Sequence, residues 1–304
     1  MYRTILVPLD GSQFAEQALP IAMHLAAGAK ARLLLVRVHQ VPPKHLGSTW
    51  DEFFRNEETA YLERIAARVA QVQPADVETA LLEGDVIEAI RESADGRAEC
   101  LIVMSTNGRT GLSRAWLGSV ADGVLRHSTR PVLALRPSGP DHVPLASTVG
   151  NVLVALDGST FAEQVVPHAV QLALLLPAPM TLLRVIEPVM PAMPAMPGVG
   201  GPYDAVMAQS LVEDSEQSVK RYLEEVAGRI RREHPAIEVR TDLHISDSAA
   251  PVIIQQSRAG DGALVALATR GRGASRLIIG SVADKVIRAA GEGVLVIRSV
   301  DNAA

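Results

Sequence analysis

The sequence predicts an α/β protein of two tandem units, each a five-stranded parallel sheet with helices on both faces. Three observations predict it. Short apolar, often β-branched runs alternate with longer stretches of helical spacing, which implies crossover connections and parallel strands. Two of those runs, Leu33–Val36 and Leu101–Met104, are apolar at every position, as in strands covered on both faces. Finally, Leu9-Asp10-Gly11-Ser12-Gln13-Phe14-Ala15-Glu16-Gln17 returns 147 positions later as Leu156-Asp157-Gly158-Ser159-Thr160-Phe161-Ala162-Glu163-Gln164. A second echo, Leu117-Gly118-Ser119-Val120-Ala121-Asp122 against Ile279-Gly280-Ser281-Val282-Ala283-Asp284, follows in the same order. Self-similarity of this kind is the mark of a duplicated unit.

The elements follow in turn. Thr4–Val7 reads as a strand, and 13–27 as a helix with Phe14, Ala18, Ile21, Ala22 and Leu25 on one face. A strand at 32–38, a long helix at 51–72, a strand at 76–82 and a helix at 85–94 come next. A strand at 100–105, a helix from 119 and a strand at 131–136 close the first half. The second half repeats the order: strands at 152–156, 180–186, 237–243, 263–268 and 294–298, helices at 160–175, 204–233, 249–258 and 282–290. Within 160–175, Thr160 and Glu163 stand at capping-box spacing. The Pro- and Gly-rich stretch Pro137–Pro144 reads as a linker. The expected units are therefore 1–137 and 151–304, joined by 138–150.

A length of 304 residues suits two units that each bury a core. A net charge of -5 argues against a nucleic-acid surface. The single cysteine, Cys100, excludes an internal disulfide framework, fits a reducing compartment and reads as a buried thiol. Pro8, Asp10 and Gln13 interrupt any leader-like apolar core. The apolar stretch Val165–Leu183 contains His168, Gln171, Pro177 and Pro179 and does not read as a membrane span. The expectation is a soluble cytoplasmic protein. His39, His45, His127, His168, His234 and His244 are scattered, so solvated or capping roles are expected of them, and no metal-type His/Cys spacing occurs.

Open parallel sheets bind ligands beyond the carboxyl ends of their strands, where the strand order reverses. Strand 1 of each half ends at Asp10 or Asp157, and strand 4 at Ser105 or Ala268, so the two Gly-Ser corners of a half could flank one crevice. The loop after strand 4 of the first half, Ser105 to Ser119, contains Gly108, Gly111 and Gly118. Such a loop can aim backbone N–H groups at one point, and the following helix adds its unpaired amides and the positive end of its dipole. Ser119 could donate to a phosphate oxygen and Arg109 could supply charge. Taken alone, Ser119 reads as a helix N-cap and Gly108 and Gly111 as turn residues; the loop as a whole, placed after strand 4 and repeated, favours an anion site. Asp10 and Asp157 are suited to ribose hydroxyls or an ordered Mg²⁺, and equally to Asp-Gly turns that accept from backbone amides.

Across both halves the sequence resembles the universal stress protein family. The nucleotide-binding branch of that family carries a loop G-x2-G-x9-G-[ST]. Gly108, the nine residues 109–117 and Gly118-Ser119 match it, with Ser105 in place of the first glycine. In the second half Ala268 replaces the first glycine, and eight residues, 272–279, separate Gly271 from Gly280. The shorter spacing implies a weaker second site. The resemblance implies Rossmann-like domains of the adenine nucleotide alpha hydrolase type that bind ATP with Mg²⁺ in stress response or signalling. It places Asp10 and Asp157 in the nucleotide pocket and Val38 and Val185 on the adenine side. The implied nucleotide-binding set is Pro8, Asp10, Val38, Ser105, Asn107, Gly108, Arg109, Gly111, Gly118, Ser119 and Val120 in the first half. In the second it is Asp157, Val185, Ala268, Arg270, Gly271, Arg272, Gly280, Ser281 and Val282. It also implies pairing of the terminal strands 131–136 and 294–298 into an intramolecular pseudo-dimer, and edge burial favours a homodimer of whole chains.

No side chain stands out as general base or nucleophile, so no catalytic residue is assigned and hydrolysis would be slow at most. No G-x-x-x-x-G-K-[ST] and no complete G-x-G-x-x-G after a strand is present, and the Ser-Gly-Gly run of the related pyrophosphatase-type enzymes is replaced by Asp-Gly-Ser. Two other functions stay open: a nucleotide-independent interaction module, as in the branch of the family without the phosphate loop, and nucleotidyl transfer or hydrolysis. Met190-Pro191-Ala192-Met193-Pro194-Ala195-Met196-Pro197 repeats Met-Pro at every third residue, the period of a polyproline II helix. It would line one edge with thioethers, as an apolar flap or partner strip or as a Cu(I) ligand set. Its first-half counterpart, Pro42-Pro43-Lys44-His45-Leu46, lacks the methionines.

Overall fold

The first half runs β1 (Thr4–Pro8), α1 (Gln13–Glu16), α2 (Leu19–Ala29), β2 (Arg32–His39), α3 (Ser48–Val72), β3 (Val77–Glu83), α4 (Val86–Asp95), β4 (Cys100–Ser105), α5 (Ser119–His127) and β5 (Val132–Leu135). The second runs β6 (Asn151–Ala155), a 3₁₀ turn (Ala162–Val165), α6 (Val166–Leu175), β7 (Met180–Ile186), α7 (Pro202–Glu233), β8 (Val239–Ile245), α8 (Ala249–Ser257), β9 (Ala263–Thr269), α9 (Ser281–Ala289) and β10 (Gly293–Arg298). These come from a computed structural model that describes residues 1–41, 48–72, 76–106, 117–136, 149–188, 202–259, 262–269 and 279–298. The Met-Pro repeat, its counterpart 42–46 and most of the expected linker lie outside the described residues.

The helices expected at 13–27 and 160–175 are each broken near their start. Pro20 and Pro167 sit in the first turns of α2 and α6, where a missing N–H costs nothing; further in, it would remove a hydrogen bond and clash with the preceding turn. The chain therefore makes one short turn, α1 or the 3₁₀ turn, before the main helix begins. The expected Thr160–Glu163 capping box does not form either. The Ser159 hydroxyl accepts from the Ala162 N–H at 3.1 Å, as Ser12 does from Ala15 at 3.2 Å, while Glu163 is engaged by Arg229.

All ten strands join one sheet in the order β3-β2-β1-β4-β5-β10-β9-β6-β7-β8. Within each half the neighbours are parallel, and β5 meets β10 antiparallel, with Leu133 opposite Leu295 and Ala134 opposite Val294. A side chain on Gly293 would press on Leu135 Cδ2 at 3.0 Å and on the Ala134 carbonyl at 3.3 Å, so the bare position lets the seam close. Alternate strand residues feed two apolar layers. Ile5, Val7, Leu33, Leu35, Leu101 and Val103 face α2, α3, α6 and α7. Leu6, Leu34, Val36, Ile102 and Met104 face α4, α5, α8 and α9. Two buried faces explain why those strand sequences show no polar alternation. Cys100 is buried as expected, and burial pushes its thiol up to about 12.

On the first-layer side the halves also meet through α2 and α6. Tyr2 stacks on His168, with its hydroxyl 2.9 Å from His168 Nδ1, and His24 Nε2 lies 3.0 Å from the Leu175 carbonyl. No helix among the described residues is long and apolar enough to cross a membrane.

Candidate functional site

In each half the strand order reverses between strand 1 and strand 4: β1 lies beside β4, and β6 beside β9. This is the position at which an open parallel sheet leaves a crevice beyond its strand ends. Four sequence features converge there.

The first is the Asp-Gly-Ser corner after strand 1. The Asp10 carboxylate accepts from the Ser12 N–H at 2.9 Å, and Asp157 accepts from the Ser159 N–H at 2.9 Å and the Ser159 hydroxyl at 2.5 Å. Gly11 (φ +86°) and Gly158 (φ +79°) occupy the left-handed region, which admits glycine without strain. The expected Asp-Gly turn is thus present, and it holds the carboxylate at the end of the strand.

The second is the Gly-Ser corner before α5 and α9. Gly118 and Gly280 are the N-caps, and Ser119 and Ser281 are the first helical residues. The N-cap role expected of Ser119 therefore falls to Gly118. A glycine has no side chain to cap with, and among the described residues no side chain caps either helix. The first intrahelical bonds start at Asp122 N–H to Gly118 O and Asp284 N–H to Gly280 O, both 2.9 Å. The amides of Ser281, Val282 and Ala283 precede that bond, as do those of Ser119, Val120 and Ala121, so each helix presents donors and a partial positive charge.

Neither glycine is demanded by the backbone. Gly118 has φ -62° and Gly280 φ -59°, values open to any residue. Among the described residues a Cβ on Gly280 would meet nothing closer than Thr269 Oγ1 at 3.9 Å. Among the described residues the missing side chain of Gly280 leaves the front of α9 clear.

The third feature is the base of the strand-4 loop. Gly118 N–H donates to the Thr106 carbonyl at 2.7 Å; in the second half Gly280 N–H donates to Thr269 Oγ1 at 3.1 Å. Ser105 and Thr106 are buried at the end of β4. Asn107, Gly108, Arg109 and Gly111, and in the second half Arg270, Gly271 and Arg272, lie outside the described residues.

The fourth is the apolar wall. In the second half a cavity of about 480 Å³ opens between these corners, within the range of small-ligand sites. It is lined by the polar groups of Asp157, Ser159, Gly280 and Ser281 and by the apolar side chains of Leu183, Val185, Ile253 and Leu267. Ala268 and Val282 also line it, so every described second-half residue of the expected set comes together. In the first half Val38 and Val120 pack on the same second apolar layer, and Pro8 closes β1 beside Val36.

The sequence reading missed Ser159, Phe161, Ile253 and Thr269 as lining residues. Ser159 was legible from the Asp-Gly-Ser turn. Ile253 stands on α8 and reaches the site only because that helix packs on the same face of the sheet as Leu183 and Leu267.

The acidic residues Asp122 and Asp284 in the first helical turns would oppose an anion if free. Each is held by an arginine one turn on: Arg126 bonds Asp122 at 2.6 and 2.9 Å, and Arg288 bonds Asp284 at 3.0 and 3.1 Å. His39 departs from the solvated role expected of it. It is buried at the end of β2, with Nδ1 2.7 Å from Glu58 and Nε2 3.0 Å from Asp51. Burial opposes its charge, but the two carboxylates outweigh burial and raise its pKa. His127 does cap, with Nδ1 2.7 Å from the Gly123 carbonyl.

The model of the universal stress protein family matches residues 1–136 and again 148–298. A universal stress protein of Thermus aquaticus is 34% identical over 137 residues, covering 45% of this chain and 100% of that protein. One from Methanocaldococcus jannaschii is 32% identical over 143 residues, covering 45% of this chain and 83% of its own. Over the whole length, the crystal structure of a universal stress protein from Archaeoglobus fulgidus shares the fold with a TM-score of 0.70 at 19% identity, covering 98% of this chain and 99% of that one.

Proposed function

Since the chain belongs to the universal stress protein family, we propose that its two modules, residues 1–137 and 151–304, each bind an adenine nucleotide, ATP with Mg²⁺. The observation that carries this reading is the start of α9 behind Gly280, uncapped by any side chain among the described residues and opening with Asp157 into one cavity. The residues present fit the ligand part by part. The α9 amides and the Ser281 hydroxyl suit phosphate oxygens, the Asp157 carboxylate suits ribose hydroxyls, and the wall of Leu183, Val185 and Ile253 suits a planar base. Among the described residues no cluster of three His, Cys, Asp or Glu side chains could hold a metal by itself. Mg²⁺ would then arrive on the phosphates with its waters, which is its usual mode.

This side-chain set supports binding rather than turnover. The carboxylate at the cavity, Asp157, is engaged by Ser159. A nucleotide-gated signalling or protective role follows, in which occupancy changes what the protein presents to partners. Calorimetric titration of the full chain with ATP and MgCl₂ tests it, with mass spectrometry of small molecules released from the freshly purified protein. Saturable binding that competes with ADP is expected; no heat at millimolar ATP and no nucleotide among the released molecules would overturn the reading.

A further inference from the structure

Behind each Asp-Gly-Ser corner stands an arginine, and in the second half it is not among the described residues that line the cavity. A Cβ on Gly158 would lie 1.7 Å from Arg184 Nη1, and one on Gly11 would lie 2.6 Å from Arg37 Nη1, so each guanidinium rests against the corner's backbone. Each also covers a tyrosine ring of the long helix: Arg37 lies 5.2 Å from the Tyr61 centroid and Arg184 5.6 Å from that of Tyr222. The Tyr61 hydroxyl donates to Glu16 at 3.0 Å, and Arg68 binds the same carboxylate. In the second half Tyr222 lies beside Glu163, which Arg229 binds at 2.6 Å. The Tyr222 hydroxyl, raised by burial and then by Glu163, also feels the charges of Arg184 and Asp157.

The circuit is kept in both halves while its surroundings change. Arg37 has a carboxylate partner, Glu58, at 3.3 Å. In the register that matches Tyr61 to Tyr222 and Arg68 to Arg229, Glu58 corresponds to Val219. Arg184 therefore faces no carboxylate at that position, although among the described residues the Nε of both arginines is buried without a hydrogen bond. An arginine retained at a partly buried position after losing its carboxylate is costly unless something else needs it. What the two arginines keep in common is the tyrosine ring on one side and the corner on the other.

We propose that Arg37 and Arg184 are positioning residues, each holding an Asp-Gly-Ser corner from behind so that its aspartate meets the ligand. This rests on the nucleotide reading above for the identity of the ligand, but not for the ordering of the corner.

Hydrogen exchange on the full chain, with and without ATP and MgCl₂, tests both parts. Arg184→Met is expected to speed exchange at residues 157–160 about tenfold while β6 and β9 stay protected, and to weaken ATP binding about tenfold, the scale of one charge-assisted hydrogen bond. In an Asp157→Asn background, Arg184→Met should weaken binding no further, because both act through one corner. Unchanged exchange at 157–160 overturns the proposal, and so do losses that simply add, the sign of a packing role alone. If the wild-type protein binds no ATP, the nucleotide reading fails and the exchange result alone decides for or against the positioning role. Where Arg184→Met does not fold, Arg184→Lys and Tyr222→Phe are read in the same way, each expected to loosen the corner less.

Discussion

Arg288, on α9 of the second half, places Nη2 3.8 Å from the Asp122 carboxylate on α5 of the first. The two helices that begin at the Gly-Ser corners are therefore linked across the β5–β10 seam by Asp122, Arg126, Asp284 and Arg288. These side chains are about one-third exposed, so solvent screens the pair. A double-mutant cycle with Asp122→Asn and Arg288→Met, read by urea unfolding, should give a coupling of about 0.5 kcal/mol or less. It should shrink further at high salt. A coupling above about 2 kcal/mol, or one indifferent to salt, would contradict the exposed geometry.

Gly280→Val asks whether the open space before α9 belongs to a ligand. Its φ of -59° and, among the described residues, the 3.9 Å clearance to Thr269 Oγ1 admit a side chain, so the variant should fold, losing about 1 kcal/mol for valine in place of a glycine N-cap. Its second nucleotide site should be lost. Gly118→Val should do the same to the first site, and the loop spacing predicts that it removes the tighter of the two. Calorimetry on both full-length variants checks this; undiminished stoichiometry in both would show that the glycines serve another purpose.

At Gly158 the reverse holds. Its φ of +79° and the Arg184 guanidinium both exclude a side chain. Gly158→Ala should cost about 1–2 kcal/mol from the left-handed backbone alone, with a further loss from displacing Arg184. Shortening the arginine as well, in Gly158→Ala/Arg184→Ala, should recover that further loss but not the backbone cost. Unfolding midpoints of the single and double variants measure the split, and strict additivity would count against the contact.

Two histidines set opposite pH dependences. His39 is raised in the folded protein because carboxylates face both of its nitrogens. Its contribution is fully present below the ordinary histidine range near 6.5 and is lost as pH rises through the raised folded value. His168 is lowered by burial and by the chain's amino terminus. Its contribution is present above that ordinary range and is lost as pH falls. Urea midpoints from pH 5 to 9 should fall at the alkaline end in the wild type but not in His39→Gln. At the acid end His168→Gln should fall less than the wild type. A His39→Gln profile parallel to the wild type would remove the ion-pair assignment.

The order of strands and helices was legible along the chain, and so were the corners. Asp10-Gly11-Ser12 and Gly118-Ser119 carry turn chemistry that acts over a few residues, so spacing reveals them. The same local logic misassigned the caps. Thr160 with Glu163 has the right spacing for a capping box, but Arg229, from a helix more than sixty positions away, holds Glu163. Ser119 looked like a cap because serine caps helices; only the backbone angles place Gly118 there instead.

By itself, the sequence determined that one α/β unit occurs twice, where each unit turns, and which family it belongs to, because periodicity and turn residues are local properties of the chain. The resemblance implies that 131–136 pairs with 294–298, and β5 and β10 do pair; the tertiary structure decided their antiparallel register, that Gly280 meets no close neighbour among the described residues, and that Arg184 stands behind Asp157 rather than in the cavity. Those facts depend on which face of a strand meets which helix, and on groups far apart in sequence brought within a few ångströms, which no local pattern encodes.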